Sequence, residues 1–565
     1  MNVNHLKKAL LFSFFLGLIQ VGHAQNSNDA REVTEKLFIK NATVIKSPTS
    51  TVKGTSILIE DGLIKQIGSS IQPPYDAKII VADSMYVYAG FIDAASHTGL
   101  AKKEESNDRV RVPNPGYPPN DVAGITPDIK VSTLIDMEQK SISEMRKNGI
   151  TLSHVIPQGR MLPGQGSILS LGTGHRDHML VKQDVSMFSQ FSTARGVAPG
   201  TLIGVISKWR DLYHNASHIR DYQTKTRASQ NGMPRATVDK ETAALIPVTQ
   251  KQMPVFFKAE KVLNIHRVLK LQQELGFDVV LTEVKQAYPI LDKIASSRTK
   301  VLLSLDLPKE DKKKEKKDDE EKMDPEVEAL NKRKMEAQKS YLTQAAMMEK
   351  KGVKFGFSFL ESKAKDLKSS LRRLIENGLS ETAALAALTT NPAEMLGISS
   401  MAGTVDQGKM AHLVITDKPY FEEKSNIRYV IVDGKEYDFE VKEKKKKKKK
   451  EGDAAEGDEI ADIAGKWTYE LEIPGQTRGG NLIIENEDDY YIVKISTDEA
   501  PDDYEECNNV SIDGNNLTFS FNVSEGGMSM DLTFDLEIEG DSFEGSIIAG
   551  QFGSFPATGT KVDPK

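Results

Sequence analysis

Apolar and polar positions follow two different rhythms along this 565-residue chain. As far as about residue 440, short apolar runs at 87–92, 204–206, 255–257, 279–281, 301–305 and 353–357 alternate with stretches whose apolar positions recur every three to four residues. Short runs bounded by turn residues predict buried strands, and the helical period predicts amphipathic helices between them. The clearest helices span 261–275, 335–351 and 367–377, the last stopped by Gly378. Alternation sustained over roughly 300 residues predicts an α/β fold class built as a parallel barrel. β-rich pieces flank it at 37–82 and 403–439. Beyond residue 460 the period becomes two, at 467–473, 481–484, 490–495, 517–523 and 530–538, with Asp513-Gly514 and Glu539-Gly540-Asp541 at hairpin positions. This predicts a separate all-β meander, a small barrel or sandwich.

Charge marks the boundaries. Two runs, 309–322 (KEDKKKEKKDDEEK) and 442–459 (KEKKKKKKKEGDAAEGDE), carry no apolar period and are expected to be solvated segments, the second a linker between domains. The net charge of −7 hides a division, because residues 460–565 hold 22 acidic and five basic side chains. So slight and negative a total gives no sign of a nucleic-acid partner. Acidic clusters at 488–489 and 502–506 lack the spacing and glycine of a calcium loop. A hydrophobic content of 39% with 27% charged residues excludes a membrane bundle and global disorder. The single cysteine, Cys507, excludes an internal disulfide and any zinc site made of several thiolates. Lys7 and Lys8, the apolar run 9–19 and Gly22-His23-Ala24 before Gln25 read as a cleaved export signal. A periplasmic or secreted protein without a membrane span is therefore expected, the apolar run being well short of the ~20 residues a span needs.

Five stretches together resemble the amidohydrolase superfamily, in particular its imidazolonepropionase-like, cyclic-amide hydrolase branch. Residues 57–68 (ILIEDGLIKQIG) are similar to that family's N-terminal hairpin, 88–97 (YAGFIDAASH) to its first barrel strand and 148–157 (NGITLSHVIP) to its second. Residues 378–397 (GLSETAALAALTTNPAEMLG) followed by 403–415 (GTVDQGKMAHLVI) are similar to its terminal helix and return strand. The resemblance covers roughly residues 35–440. It implies a (β/α)8 TIM-like barrel at 85–400 and a composite β-sandwich from 35–84 and 401–440, to which the residue patterns above add a signal at 1–24, a charged linker at 441–459 and an acidic β-domain at 460–565.

The resemblance also implies a chemistry, hydrolysis of C–N bonds in amides or cyclic amides. One or two divalent metals, typically zinc, acidify the attacking water. The family's ligands are a His-x-His pair after strand 1, a His after each of strands 5 and 6, and an Asp after strand 8. Here the pair falls on Ala95 and His97, strand 5 offers Lys258, strand 6 has Glu283 as its nearest coordinating group, and strand 8 has Leu360 with Glu361 beside it. His97 alone keeps its identity. A lysine ammonium opposes a bound cation, so a family-type metal centre is not expected. Lys258 and Glu283, on neighbouring strands, are expected to pair and fill the vacated volume. The competing reading is metal-free acid–base chemistry through Lys258, Glu283 and Glu361, with Asp93 nearby. Gln158 and Gln165, in the loop QGRMLPGQG (158–166), are the substrate-side candidates by resemblance.

The other histidines carry weaker expectations. His154 is expected to be a satisfied histidine inside the barrel, and His214 and His218, at i and i+4, to face solvent. His175 and His178 would join His97 only if their loop covered the barrel mouth. Three functions follow. The first is an exported C–N hydrolase acting on a small molecule. The second is a catalytically silent homologue that binds a ligand, or associates with an intact amidohydrolase or a second copy. The third is a carbohydrate- or surface-binding role for the C-terminal domain through Trp467, Tyr469, Tyr490 and Tyr491.

Overall fold

The structure, a computed structural model, describes residues 36–102, 111–228, 232, 234–308, 325–439 and 463–562, the last range apart from 474–475, 488–489, 499, 514–515, 526–527 and 549–553. The expected signal, both charge runs and the acidic pair 488–489 lie outside these residues. The chain divides into two compact units, one up to Glu443 and one from Lys444.

In the first unit, strands from both ends of the segment share one sheet. These are β1 (Leu37–Ser47), β2 (Ser50–Glu60), β3 (Leu63–Gly68), β4 (Lys78–Val81) and β5 (Tyr86–Ala89), joined from the far end by β14 (Leu413–Thr416), β15 (Ile427–Val432) and β16 (Lys435–Asp438). The hairpin expected at 57–68 forms between β2 and β3, turning on Asp61 and Gly62 at φ 51° and 71°. Alternate residues such as Leu37 and Ile39, Ile57 and Ile59, and Leu413 and Ile415 point into a core of their own, the period-two signature of a strand buried on one face.

The run 87–92, expected to be one strand, is two. After β5 the chain leaves the first sheet at Gly90 and enters a second sheet as β6 (Phe91–Ser96). A side chain at Gly90 would bring a Cβ within 2.2 Å of Thr151 Oγ1, so only glycine permits this crossing. The second sheet continues through β7 (Ile150–Val155), β8 (Gly164–Ser170), β9 (Leu180–Gln190), β10 (Val255–Lys258), β11 (Val279–Val284), β12 (Lys300–Ser304) and β13 (Phe355–Ser358), in chain order. It is barrel-like: just past β13 the Phe359 amide donates to the Ala95 carbonyl of β6 at 2.9 Å.

One strand departs from the expected parallel arrangement, since β8 runs antiparallel to both β7 and β9. The connection from β7 to β8, residues 156–163, holds no helix, and a parallel return needs a crossover of a dozen or more residues. The other neighbours are parallel and are reached through helices, among them Leu202–Ala228, Val262–Leu275, Leu291–Ser297 and Pro325–Lys350. The three apolar residues at 204–206, expected as a strand, lie inside the helix Leu202–Ala228. Val205, Trp209, Leu212, Tyr213 and Ala216 are its buried positions, spaced as one helical face, and Trp209 donates to the Ser189 hydroxyl at 2.8 Å.

The two sheets are tied at Asp433, in the turn between β15 (Ile427–Val432) and β16 (Lys435–Asp438). Its carboxylate accepts from His412 Nε2 at 2.9 Å and from the Ser170 hydroxyl at the end of β8. Burial opposes its charge, yet the His412 and Ser170 partners hold its pKa below the ordinary value.

The second unit is a separate all-β region with, among the described residues, nine antiparallel strands: β17 (Gly465–Ile473), β18 (Gln476–Glu487), β19 (Tyr490–Thr497), β20 (Ala500–Glu506), β21 (Asn508–Asp513), β22 (Asn516–Glu525), β23 (Met528–Glu539), β24 (Ser542–Ile548) and β25 (Ser554–Lys561), in the order β20-β19-β18-β17-β25-β24-β23-β22-β21. Trp467, Tyr469, Phe519, Phe534 and Phe543 fill its core. Cys507 is buried, and burial pushes its thiol up to about 12, which removes it as a nucleophile.

The Asp433 tie is testable by urea unfolding. Asp433→Ala strands a buried histidine and puts alanine at φ 50°, and should cost about 2–4 kcal/mol. Asp433→Asn keeps an acceptor and tolerates the left-handed turn, and should cost clearly less. An unchanged midpoint for Asp433→Ala would refute the tie.

Candidate functional site

The C-terminal ends of the barrel-like sheet's parallel strands carry the candidate residues. His97 directly follows β6, and its Nδ1 lies 2.8 Å from the Ile156 carbonyl. Because a carbonyl can only accept, Nδ1 bears the proton and Nε2 keeps a lone pair. Burial, aided by the Lys258 charge, lowers the imidazole pKa against the upward pull of that hydrogen bond, so the ring is neutral near pH 7. His97, Ser96, Thr98, Gln158, Phe359 and Leu360 line a cleft of about 1010 Å³.

The sequence-based expectation of a Lys258–Glu283 pair does not hold. Lys258, at the end of β10, instead binds the Glu361 carboxylate, with Glu260 Oε1 at 3.1 Å. On its other oxygen Glu361 accepts from Lys285 at 2.7 Å, and Lys285 reaches Asp306 at 2.6 Å. The result is a row of alternating charges, Glu260, Lys258, Glu361, Lys285 and Asp306, across the ends of β10 to β13. Burial drives Lys258 toward neutrality, but its carboxylate partners outweigh burial and hold its pKa above the ordinary value. Burial likewise opposes the Glu361 charge, and the two lysines overcome it, taking the carboxyl down to about 2. Lys285, Asp306 and Glu260 were missed in the sequence reading. Lys285 lies two residues beyond Glu283, and its role depends on a brace no local pattern announces: Gln344, on the helix Pro325–Lys350, accepts from the Ala287 amide at 3.1 Å and donates to the Lys285 carbonyl at 3.0 Å.

Glu283 has turned inward. The pairing of β11 with β12 shifts register between Leu281 and Val284, a bulge, and Glu283 sits in it at φ 56° with its side chain fully buried. One oxygen accepts from the Ser304 hydroxyl and the other from Ser358 at 2.5 Å. Burial raises its pKa to about 7 even against these two donors. Asp93 on β6 is similarly buried, accepting from the Ala95 amide at 3.0 Å and from Ser153 at 2.5 Å, and burial raises it to about 6. Both carboxyl groups therefore titrate inside the barrel-like sheet rather than at the cleft.

Of the two glutamine candidates, Gln158 lines the cleft and Gln165 does not. Gln165 is buried in β8, where its side chain donates to the Pro127 carbonyl at 2.9 Å and its amide to Ile129 at 2.8 Å, so it anchors the 126–130 segment. His154 is the satisfied interior histidine expected, donating from Nδ1 to the Ala94 carbonyl at 2.8 Å and accepting at Nε2 from Ser186 at 2.7 Å. Burial takes its pKa down to about 4. The His175–His178 segment does not approach His97. It precedes β9, at the opposite ends of the strands, where neighbouring Thr173 meets Tyr437 of the first sheet at 3.1 Å. His214 and His218 face solvent as expected. Trp467 and Tyr469 are buried in the second unit, with Trp467 donating to the Ile463 carbonyl at 3.0 Å, so they are not displayed for a ligand; Tyr491 is half-buried.

The donor set does not fit the divalent metal implied by the resemblance. Ala95 offers a methyl group, Leu360 an apolar chain, and Lys258 an ammonium locked in ion pairs. Among the described residues no cluster of three or more His, Cys, Asp or Glu side chains could hold a metal ion.

Comparison with known proteins bears out the class. Residues 305–437 match the model of the amidohydrolase family. The crystal structure of an amidohydrolase from Thermotoga maritima superposes with a TM-score of 0.57 and 23% identity, over 71% of this chain and 99% of that one, a likeness of fold. A 5-methylthioadenosine/S-adenosylhomocysteine deaminase from Pyrococcus furiosus is 38% identical over 64 residues, 11% of this chain and 15% of that protein's length. The resemblance of this chain to the amidohydrolase superfamily therefore stands, carried in sequence by residues 305–437 and in fold by most of the first unit. No helix among the described residues is long and apolar enough to cross a membrane.

Glu283 provides a pH test. Its folded pKa of about 7 exceeds the ordinary 4.5, so between those values the folded state holds more protons than the unfolded chain and stability falls as pH rises. Glu283→Gln removes that loss. The variant should match the wild type near pH 4.5 and exceed it by on the order of 2–3 kcal/mol at pH 8, read by chemical denaturation. A variant equally destabilised at both pH values would contradict the assignment.

Proposed function

We propose that this is an exported protein of the amidohydrolase superfamily, built on the (β/α)8 barrel and composite β-sandwich of that superfamily, whose barrel mouth binds a small organic molecule without metal-dependent hydrolysis of a C–N bond. The observation that carries this reading is the Lys258 ammonium between Glu361 and Glu260, at the strand-5 position where the superfamily keeps a metal ligand. A divalent cation beside that ammonium would face a charge held in place by two carboxylates. Removing the ammonium to make room would leave Glu361 and Glu260 short of a partner. His97, whose Nε2 keeps its lone pair, and Gln158 line the cleft as polar groups over an apolar floor that includes Phe359 and Leu360. Export is supported by the basic, apolar and small-residue succession over residues 7–24.

A second reading, hydrolysis by acid–base chemistry without a metal, has one observation in its favour, the Glu283 carboxyl poised near 7. Against it, both Glu283 oxygens are taken by serine hydroxyls and the residue does not line the cleft.

Metal analysis of the purified protein, together with a panel of linear and cyclic amides, separates these readings. The expected result is less than one divalent cation in ten chains, a melting temperature moved by neither EDTA nor added zinc, and no turnover. One bound cation per chain with EDTA-sensitive hydrolysis would overturn the proposal. Metal-free hydrolysis abolished by Glu283→Gln would install the second reading in its place.

A further inference from the structure

The cleft at His97 adjoins a second one of about 780 Å³, and Leu100, Lys102 and Gln158 line both. The second cleft is built around Arg160. The stem of this side chain is packed against Gly124, where an added Cβ would come within 2.5 Å of the Arg160 Cβ. Its Nη1 donates to the Thr193 carbonyl at 3.1 Å. The segment that carries it is equally constrained. Thr126 donates to the Leu162 carbonyl at 2.8 Å, Leu162 to the Gly124 carbonyl at 3.0 Å, and Gln190 Nε2 to the Gly159 carbonyl at 2.5 Å. The guanidinium is thus held in place by packing and one carbonyl, with most of its five N–H donors left over. Among the described residues it has no carboxylate within ion-pairing distance, although Asp121 lies on the same wall.

A half-buried arginine so placed is suited to bidentate recognition of a planar anion. Its surroundings agree. Leu100, Ile129, Leu134 and Pro163 form an apolar floor beside it, and Lys102 stands at the junction of the two clefts. Among the described residues, six cationic side chains (Lys102, Lys140, Lys147, Arg160, Lys363 and Lys365) over both linings face three anionic ones (Asp121, Glu138 and Glu144), an excess that attracts anions.

We propose that the two clefts are one site for a small organic carboxylate with an apolar body. Arg160 takes the carboxylate with Lys102 beside it, the body lies on the apolar floor, and the far end passes Gln158 to reach His97. This deepens the reading of the barrel mouth as a metal-free binding site and rests on it.

The test is calorimetric titration of the purified full chain with matched pairs, N-acetyl-leucine against N-acetyl-leucinamide and phenylacetate against phenylacetamide, at low and moderate salt. Each carboxylate should bind at least about tenfold more tightly than its amide, the preference shrinking as salt rises. Arg160→Gln should abolish the preference and Arg160→Lys retain part of it, both variants melting within about 2 °C of the wild type when free. Equal binding of acid and amide, no binding of either carboxylate, or a preference that survives in Arg160→Gln would each overturn the proposal. Metal content measured on the same sample keeps the two readings apart: a zinc-loaded protein that still prefers carboxylates would sink the metal-free reading and leave this one standing.

Discussion

The barrel mouth is organised by a single constraint, that a carboxyl group inside a sheet must find donors where no cation can follow it. Asp93 and Glu283 meet that constraint with serine hydroxyls and a backbone amide, and burial makes both readily protonated. The interior having been satisfied without cations, Lys258 and Lys285 are free to pair with Glu361, Glu260 and Asp306 at the rim. Two layers result, an inner pair of carboxyl groups that burial raises toward neutrality and an outer row of ion pairs. The seam between β13 and β6 belongs to the same system. The Ala95 carbonyl accepts the Phe359 amide, while the Ala95 amide donates to Asp93. A residue that the superfamily resemblance would make a ligand is used here to close the sheet.

Much of the fold was legible because the strands and helices of the first unit are long enough to show their period. The hairpin at 57–68, the helix Val262–Leu275 and the period-two strands beyond 465 were all found where the pattern put them. The failures have physical causes. Three apolar residues at 204–206 fit either period, and only Trp209 and Leu212 further on resolve them as a helix. The antiparallel β8 was hidden because direction is set by the length of a connection, and a glycine-rich loop looks the same before a parallel strand as before an antiparallel one.

The site was harder to read than the fold. Alternation along β11 suggests that Glu283 reaches the same rim as Lys258, but the bulge inserts a residue and sends the side chain inward. Lys258 then found its partner 103 positions away in Glu361, a pairing that depends on sheet order and not on any spacing in the chain. Gln165 was assigned by resemblance of its loop, while its side chain is spent on the Pro127 carbonyl. Arg160, in the same loop, is the residue with donors to spare, and nothing in its sequence neighbourhood separates the two. In the second unit, period-two patterning located the strands but could not say which face of Trp467 and Tyr469 would be covered.

The alternating row at the rim also constrains substitution. A lysine bound to two carboxylates cannot be exchanged for a histidine alone, because the carboxylates left behind would repel one another across a partly buried surface. Fitting a metal-binding mouth to this sequence would require several coordinated replacements, at positions 95, 258, 360 and 361 at least. The ion pairs thus bind positions 258, 260, 285, 306 and 361 into one unit, so that a replacement at any of them is felt by its neighbours in the row.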